Sequence, residues 1–255
     1  MGILGILTCE ILELEFAHLL AADSEVAQIT VLEDERSARL IEMLESQGIQ
    51  NLGRIADPEK FTPNSEGHLE VLVRVLELAL HLRKKTLQQG LLEAALEVSP
   101  HVDALFLGYG LCGNAIEKPE ELLADVNVPV FIPMDTDHPV DDCVGLLIGG
   151  RECYYAEQRK VAGTFFMTPG WTHHWRRMFE QEFGNLSLEM AKRLLAHYER
   201  SLLVLTPLMP ENEMRRNVEE FNKMFDLRVE ARAGTLDILD RTWKAAKESL
   251  NSQTA

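Results

Sequence analysis

A chain of 255 residues, 46% hydrophobic and 26% charged, can bury a substantial core as one large domain or two small ones. Its formal charge of −16 argues against a polyanion, and the one short basic cluster, Arg83-Lys84-Lys85, reads as a solvated helix end, so nucleic acid is not an expected partner. No apolar stretch is long enough to span a bilayer, so no membrane is expected either. Four cysteines behind an N-terminus without a basic leader region point to free or metal-bound thiols in a cytoplasmic setting.

Residues 2–8 read as a buried strand and 10–22 as the helix returning from it, with Leu12, Phe16, Leu19 and Leu20 as its apolar stripe. A second strand spans 28–32, and 34–47 place Leu40, Ile41 and Leu44 at helical spacing before Gly48. The stretch 53–67, with Pro58 and Pro63, is the best loop, and 69–98 reads as amphipathic helix broken at Gly90. Strands follow at 103–109 and 128–133, with a short helix at 119–124 between them. A strand at 163–168 leads to helices over 171–183 and 187–200. The chain closes with a strand at 201–206, a helix at 211–224, a strand at 227–231 and a helix at 235–250. This alternation predicts an α/β fold: a mostly parallel sheet in Rossmann-like layers, with helices on both faces. A main α/β domain over 1–185 is expected to carry the site, followed by a smaller α/β lobe over 186–255.

The cysteines fall where such a fold builds ligand sites. Cys9 ends the first strand, Cys112 follows the strand at 103–109, and Cys143 opens a helix-like stretch after the strand at 128–133. In a parallel sheet all three sulfurs would lie at the carboxyl edge, where open α/β folds bind ligands. Three cysteines and one further ligand would satisfy tetrahedral zinc, the fourth being His138, Glu10, an Asp of 135–142 or a substrate. Three cysteines could equally hold an iron–sulfur cluster with one open iron. Asp141 or Asp142 is placed to cap the helix from Cys143, whose thiolate the helix dipole would favour while the carboxylates oppose it. Cys153 reads as a packing residue.

Cys112 sits in Gly108-Tyr109-Gly110-Leu111-Cys112-Gly113-Asn114. Glycines here permit a sharp turn and expose successive backbone N–H groups, making Gly108, Tyr109, Gly110, Gly113 and Asn114 candidate cofactor contacts. The G-x-G-x-x-G spacing occurs, but Ile132 or Pro133 stands where a dinucleotide site needs an acid. Farther along, Thr168, Gly170, Trp171 and His173 form a second candidate contact set. There Pro169-Gly170 turns the chain out of a strand and Trp171 opens a helix beside His173, His174 and Trp175. These side chains could wall a flat cofactor, or His173 or His174 could serve as acid or base. The packing alternative pairs Trp171 with Trp175 and leaves both histidines in solvent.

On Thr8-Cys9-Glu10, the 108–114 loop, Asp142-Cys143-Val144 with Leu146-Leu147-Ile148-Gly149, and residues 163–171, the chain resembles the DUF1638 family over most of its length. The resemblance implies an anaerobic setting beside corrinoid-dependent methyl-transfer systems, and with it one-carbon chemistry. In that family an Arg commonly follows the proline corresponding to Pro133; Met134 stands here, and the acidic stretch 135–142 is longer. The first functional reading is a metal-binding protein of anaerobic one-carbon metabolism. It would hold zinc or an iron–sulfur cluster, with a small-molecule ligand or corrinoid methyltransferase components as partners, and methyl or other one-carbon transfer as its reaction. The second is a non-catalytic protein that holds a corrinoid or other tetrapyrrole, although the D-x-H-x-x-G run used for cobalt ligation is missing. The third is a structural or partner-binding protein with buried core cysteines. Whether the chain forms a homo-oligomer is left open.

Overall fold

The structure is a computed structural model that describes residues 2–63, 67–78, 80–113 and 115–252. Strand β1 (Ile3–Cys9) passes through a 3-10 turn (Glu10–Leu12) into α1 (Glu13–Ala22), β2 (Val26–Leu32), α2 (Ala38–Ser46), β3 (Leu52–Ile55) and β4 (Leu69–Leu76). Then come α3 (Lys84–Val98), β5 (Ala104–Gly108), α4 (Pro119–Leu122), β6 (Val130–Phe131), and a hairpin of β7 (Met134–Asp135) and β8 (His138–Pro139). The rest comprises α5 (Cys143–Ile148), α6 (Arg151–Lys160), β9 (Thr164–Met167), α7 (Pro169–Phe183), α8 (Leu188–Leu195) and β10 (Arg200–Leu205). The chain ends with α9 (Glu211–Asn217), α10 (Glu219–Phe225), β11 (Arg228–Ala233) and α11 (Asp237–Ser252).

The expected α/β architecture is present, with helices packed on both faces of a parallel sheet. Six strands pair in the order β3-β2-β4-β1-β5-β6. Side chains alternate between two buried faces, which is why these strands read as continuous apolar runs. In β1, Leu4 and Ile6 face the layer of Phe16, Leu40 and Trp243, from α1, α2 and α11. Leu7 and, in β5, Leu105 and Leu107 face Leu87, Leu91 and Val98 of α3. From β1 the chain moves outward to β2 and β3; from β4 it crosses β1 to β5 and β6. The neighbours β1 and β4 therefore mark a topological switch point, with a crevice at their carboxyl ends.

The stretch 69–98 is not one helix. Its first part is the strand β4, seated centrally between β1 and β2. Leu69-Glu70-Val71-Leu72-Val73-Arg74-Val75-Leu76 is rich in β-branched residues and buried on both sides, so periodicity alone does not separate it from a buried helix. Gly90 lies inside α3 and does not break it. The expected loop from 53 hides β3, an edge strand paired only with β2.

A second parallel sheet, β11-β10-β9, buries Phe166, Leu202 and Val204 toward the main core. It buries Met167 and Leu203 against Trp175, Met214 and Phe221 on its other side. This sheet draws strands from both sides of residue 185, and α11 returns to the first sheet. There Trp243 approaches Phe106 with ring centroids 6.4 Å apart.

Arg200, at the start of β10, is buried and holds three elements together. It donates to Thr164 Oγ1 (2.9 Å), to the backbone carbonyl of Glu157 (3.0 Å) and to Glu157 Oε2 (3.0 Å), and it also pairs with Glu230. Lys160 and Arg232 also pair with the Glu157 carboxylate, so Arg200→Met would leave it two cations but would strip the donor from Thr164 Oγ1 and from the Glu157 carbonyl. We expect it to cost about 1–3 kcal/mol, read as a fall in the urea midpoint. A loss under about 1 kcal/mol would show that the ion pair is not a tie between α6 and the second sheet.

Candidate functional site: a thiol-lined crevice

Cys9 is the last residue of β1, in register with Leu76 at the end of β4, so its side chain stands at the switch point. The 3-10 turn after it places Ile11 and Leu12 beside the crevice. This turn is fixed by Glu10, a buried carboxylate that accepts Arg177 Nη1 (2.7 Å) and Nη2 (3.2 Å) and the Leu78 N–H (2.6 Å). Glu10 thus ties the end of β1 to the end of β4 and to α7. Its oxygens are committed there, which removes it from the fourth-ligand candidates.

The glycine-rich loop after β5 brings Cys112 to the same place. Gly110 lies so close to the 140–142 segment that a Cβ would come within 2.7 Å of Val140 O and Asp142 N. The next N–H, of Leu111, donates to Val140 O at 2.8 Å. Cys112 then adopts φ +48° and Gly113 φ +65°. A left-handed cysteine costs on the order of 1–3 kcal/mol and persists only where the surroundings enforce it, a pattern concentrated at functional sites. Asn114 lies outside the described residues.

Cys143 opens α5, capped by Asp142 Oδ1, which accepts the Gly145 N–H at 2.7 Å. Cys9, Cys112 and Cys143 together line one cavity of about 60 Å³, with Gly108, Tyr109, Gly110, Trp171 and Met178 among its walls. Burial pushes the Cys9 thiol up to about 11 and the Cys112 thiol up to about 12. Cys143 is held well above the ordinary thiol range, by burial first and then by the Asp142 carboxylate. The sequence sets the helix dipole against the neighbouring carboxylates at Cys143; the Asp142 carboxylate does raise the thiol, but desolvation, which the sequence does not announce, is the larger cause. All three are neutral thiols at physiological pH, poor nucleophiles without a cation beside them.

Tyr109 is 5% exposed, and its buried hydroxyl is paired weakly with the Cys9 thiol; among the described residues it makes no regular hydrogen bond. Burial, the two neighbouring thiols and Glu10 hold its phenol well above the usual range.

The other sequence candidates separate. Thr168 caps α7, its Oγ1 accepting the Trp171 N–H at 3.2 Å. Gly170 is a packing residue: a Cβ there would meet Ile11 O at 1.9 Å. Trp171 lines the cavity and stacks edge-on with Phe165 and Phe221. His173 is exposed and does not line the cavity. His174 is buried, with Nε2 3.3 Å from Glu13 Oε2, so the expectation of two solvent-facing histidines holds for His173 alone. His138, on β8, is not among the lining residues, and its Nδ1 is buried without a partner. Cys153 packs against the main core, away from the cavity. Among the described residues, no group of three or more His, Cys, Asp or Glu side chains stands, as placed, in an arrangement that holds a metal ion.

Sequence reasoning missed Ile11, Leu12, Glu77, Leu80, Leu87 and Met178, all of which line the cavity. The apolar ones carry no signal that separates them from core. Glu77 had one: it directly follows β4, and a strand there would have placed it at the carboxyl edge of the sheet.

Fold and crevice together define a doubly wound α/β protein with three thiols at its switch point. The chain belongs to the family described as a protein of unknown function, DUF1638, which matches residues 75–243. Cys112 and Cys143 lie inside the matched segment and Cys9 precedes it. Neither the curated proteins nor the solved structures include a match to the chain. Among the described residues, no helix is long and apolar enough to cross a membrane.

Proposed function

We propose that Cys9, Cys112 and Cys143 bind a thiophilic metal ion, zinc first, and that this ion serves transfer of a methyl or other one-carbon group. The observation that carries the reading is that three of the four cysteines, distant in sequence, line one partly open cavity at the switch point. In an apolar chamber a thiolate is costly alone and stable beside a cation, so a metal would displace the protons that burial now holds on the sulfurs. As placed, the three sulfurs do not form a metal-holding group, so binding would require their side chains to turn toward one another. Held by Cys9, Cys112 and Cys143, zinc would supply Lewis acidity and a stabilised thiolate. The cavity is small, about 60 Å³, which suits a single ion with a ligand of a few atoms. It favours that ion over an iron–sulfur cluster, and over a tetrapyrrole, which needs a pocket of several hundred Å³.

Anaerobic titration of the full chain with cobalt(II) tests this through the near-ultraviolet thiolate-to-cobalt absorption. The wild type should develop the band at one equivalent. Cys112→Ser or Cys143→Ser should weaken cobalt binding by at least about tenfold, and Cys153→Ser should leave it unchanged. No band in the wild type, or an equal loss in Cys153→Ser, would sink the proposal.

A further inference from the structure

We infer that the cleft at the amino end of β11 binds a small amide-bearing amino acid, read by the side-chain amide of Asn222. The cleft shares no lining residue with the thiol cavity, so the inference stands apart from the metal reading. Its walls come from α9, α10 and the start of β11, with Arg215, Arg216, Asn222, Lys223, Asp226 and Val229 among them. Its volume, about 440 Å³, falls within the roughly 300–1,000 Å³ of small-molecule sites.

Asn222 carries the argument. Val218, Phe221, Asn222 and Phe225 recur at helical spacing, and the three apolar ones pack in the core that holds Trp175 and Met214. Asn222 thus stands where an apolar residue would continue the stripe, and it is only 6% exposed. Neither its Nδ2 nor its Oδ1 has a hydrogen-bond partner among the described residues. A buried amide left unpaired is costly, and native proteins rarely keep one unless something completes it. A donor and an acceptor side by side match a carboxamide. Its carbonyl accepts from Nδ2 while its own N–H donates to Oδ1.

The charges around Asn222 select the rest of the ligand. Lys223 is engaged by Glu219 at 2.5 Å, and Arg215 by Glu211 at 2.6 Å. The side chains of Arg216 and Asp226 make no ion pair or hydrogen bond among the described residues. One free cation and one free anion suit a zwitterion, with its carboxylate on Arg216 and its ammonium on Asp226. Among the described residues no aromatic ring lines the cleft to stack a nucleobase, the other planar group with a matching edge.

The test titrates the full chain with L-glutamine, followed by calorimetry and by the side-chain amide resonance of Asn222, with L-glutamate as the isosteric control. Glutamine should bind saturably by about 10 mM and shift that resonance. Glutamate lacks the N–H for Oδ1 and adds a charge, so it should bind at least tenfold more weakly. Asn222→Leu, which restores the apolar stripe, should lose glutamine binding. Arg216→Gln, an exposed change, should weaken it at least tenfold at an unchanged melting temperature, and it keeps the test open should Asn222→Leu not fold. No saturable glutamine binding by the wild type, equal binding of glutamate, or full binding by Arg216→Gln overturns the inference.

Discussion

Gly170→Ala should destabilise the protein by about 3 kcal/mol or more, the largest loss we expect from a single added methyl group. Gly170 is in the first turn of α7, directly against the backbone of the 3-10 turn after β1. A Cβ would stand 1.9 Å from Ile11 O and 2.7 Å from the Ile11 carbonyl carbon. Backbone cannot yield as a side-chain tip would, so α7 must move away. That movement would stretch Arg177 off Glu10 and His174 off Glu13, the polar ties between the helix and the end of β1. It would also carry Trp171 and Met178 out of the cavity wall. Urea unfolding should show the lowered midpoint. A loss below about 1 kcal/mol would mean that α7 is not seated on the turn as described.

Glu15→Gln should have the opposite sign. Glu15 is fully buried in α1, and among the described residues neither carboxylate oxygen has a hydrogen-bond partner beyond its own backbone. Desolvation raises its carboxyl from 4.5 to about 7, against smaller lowerings from its own backbone N–H and from Arg39. Below about pH 4.5 the group is protonated in both folded and unfolded chains and contributes no pH dependence. As the pH rises toward 7 the unfolded chain ionises first, so stability falls; above that the deficit is constant. A raised shift of this size corresponds to roughly 3 kcal/mol at pH 8. The amide cannot ionise, so Glu15→Gln should be more stable than wild type by up to that amount at pH 8. The gap should close as the pH falls to 4.5. A variant less stable than wild type at pH 8 would show that the carboxylate has a partner in solution.

The sequence announces the architecture clearly because parallel strands and their returning helices differ in length and pattern. Residues 2–8, 28–32 and 103–109 were legible as apolar runs bounded by polar helix starts. Residues 69–76 were not, since a strand buried on both faces has no alternation to read and ran directly into the helical pattern of α3. That one misreading also concealed Glu77 at the sheet's carboxyl edge. The cysteines were legible as a set because each follows a strand, and the structure brings Cys9, Cys112 and Cys143 to one cavity. The glycines were legible as turns, but their reason was not: Gly110 and Gly170 serve close backbone approach to 140–142 and Ile11, contacts remote in sequence. Nothing in the sequence marks the acids Glu10, Glu13 and Glu15 as buried. Their burial follows from α1 and the turn before it lying under both α2 and α7, which no local pattern encodes.

The central claim is that the three thiols hold a metal. It is tested most directly by elemental analysis and zinc-edge X-ray absorption on protein purified from its native cells without oxygen or an affinity tag. The account predicts about one zinc per chain with a dominant sulfur shell of about three neighbours near ~2.3 Å, lost together with the metal in Cys112→Ser. Metal-free protein, or zinc surrounded only by nitrogen and oxygen, would contradict it and return the cysteines to the role of packing residues around a small-molecule pocket.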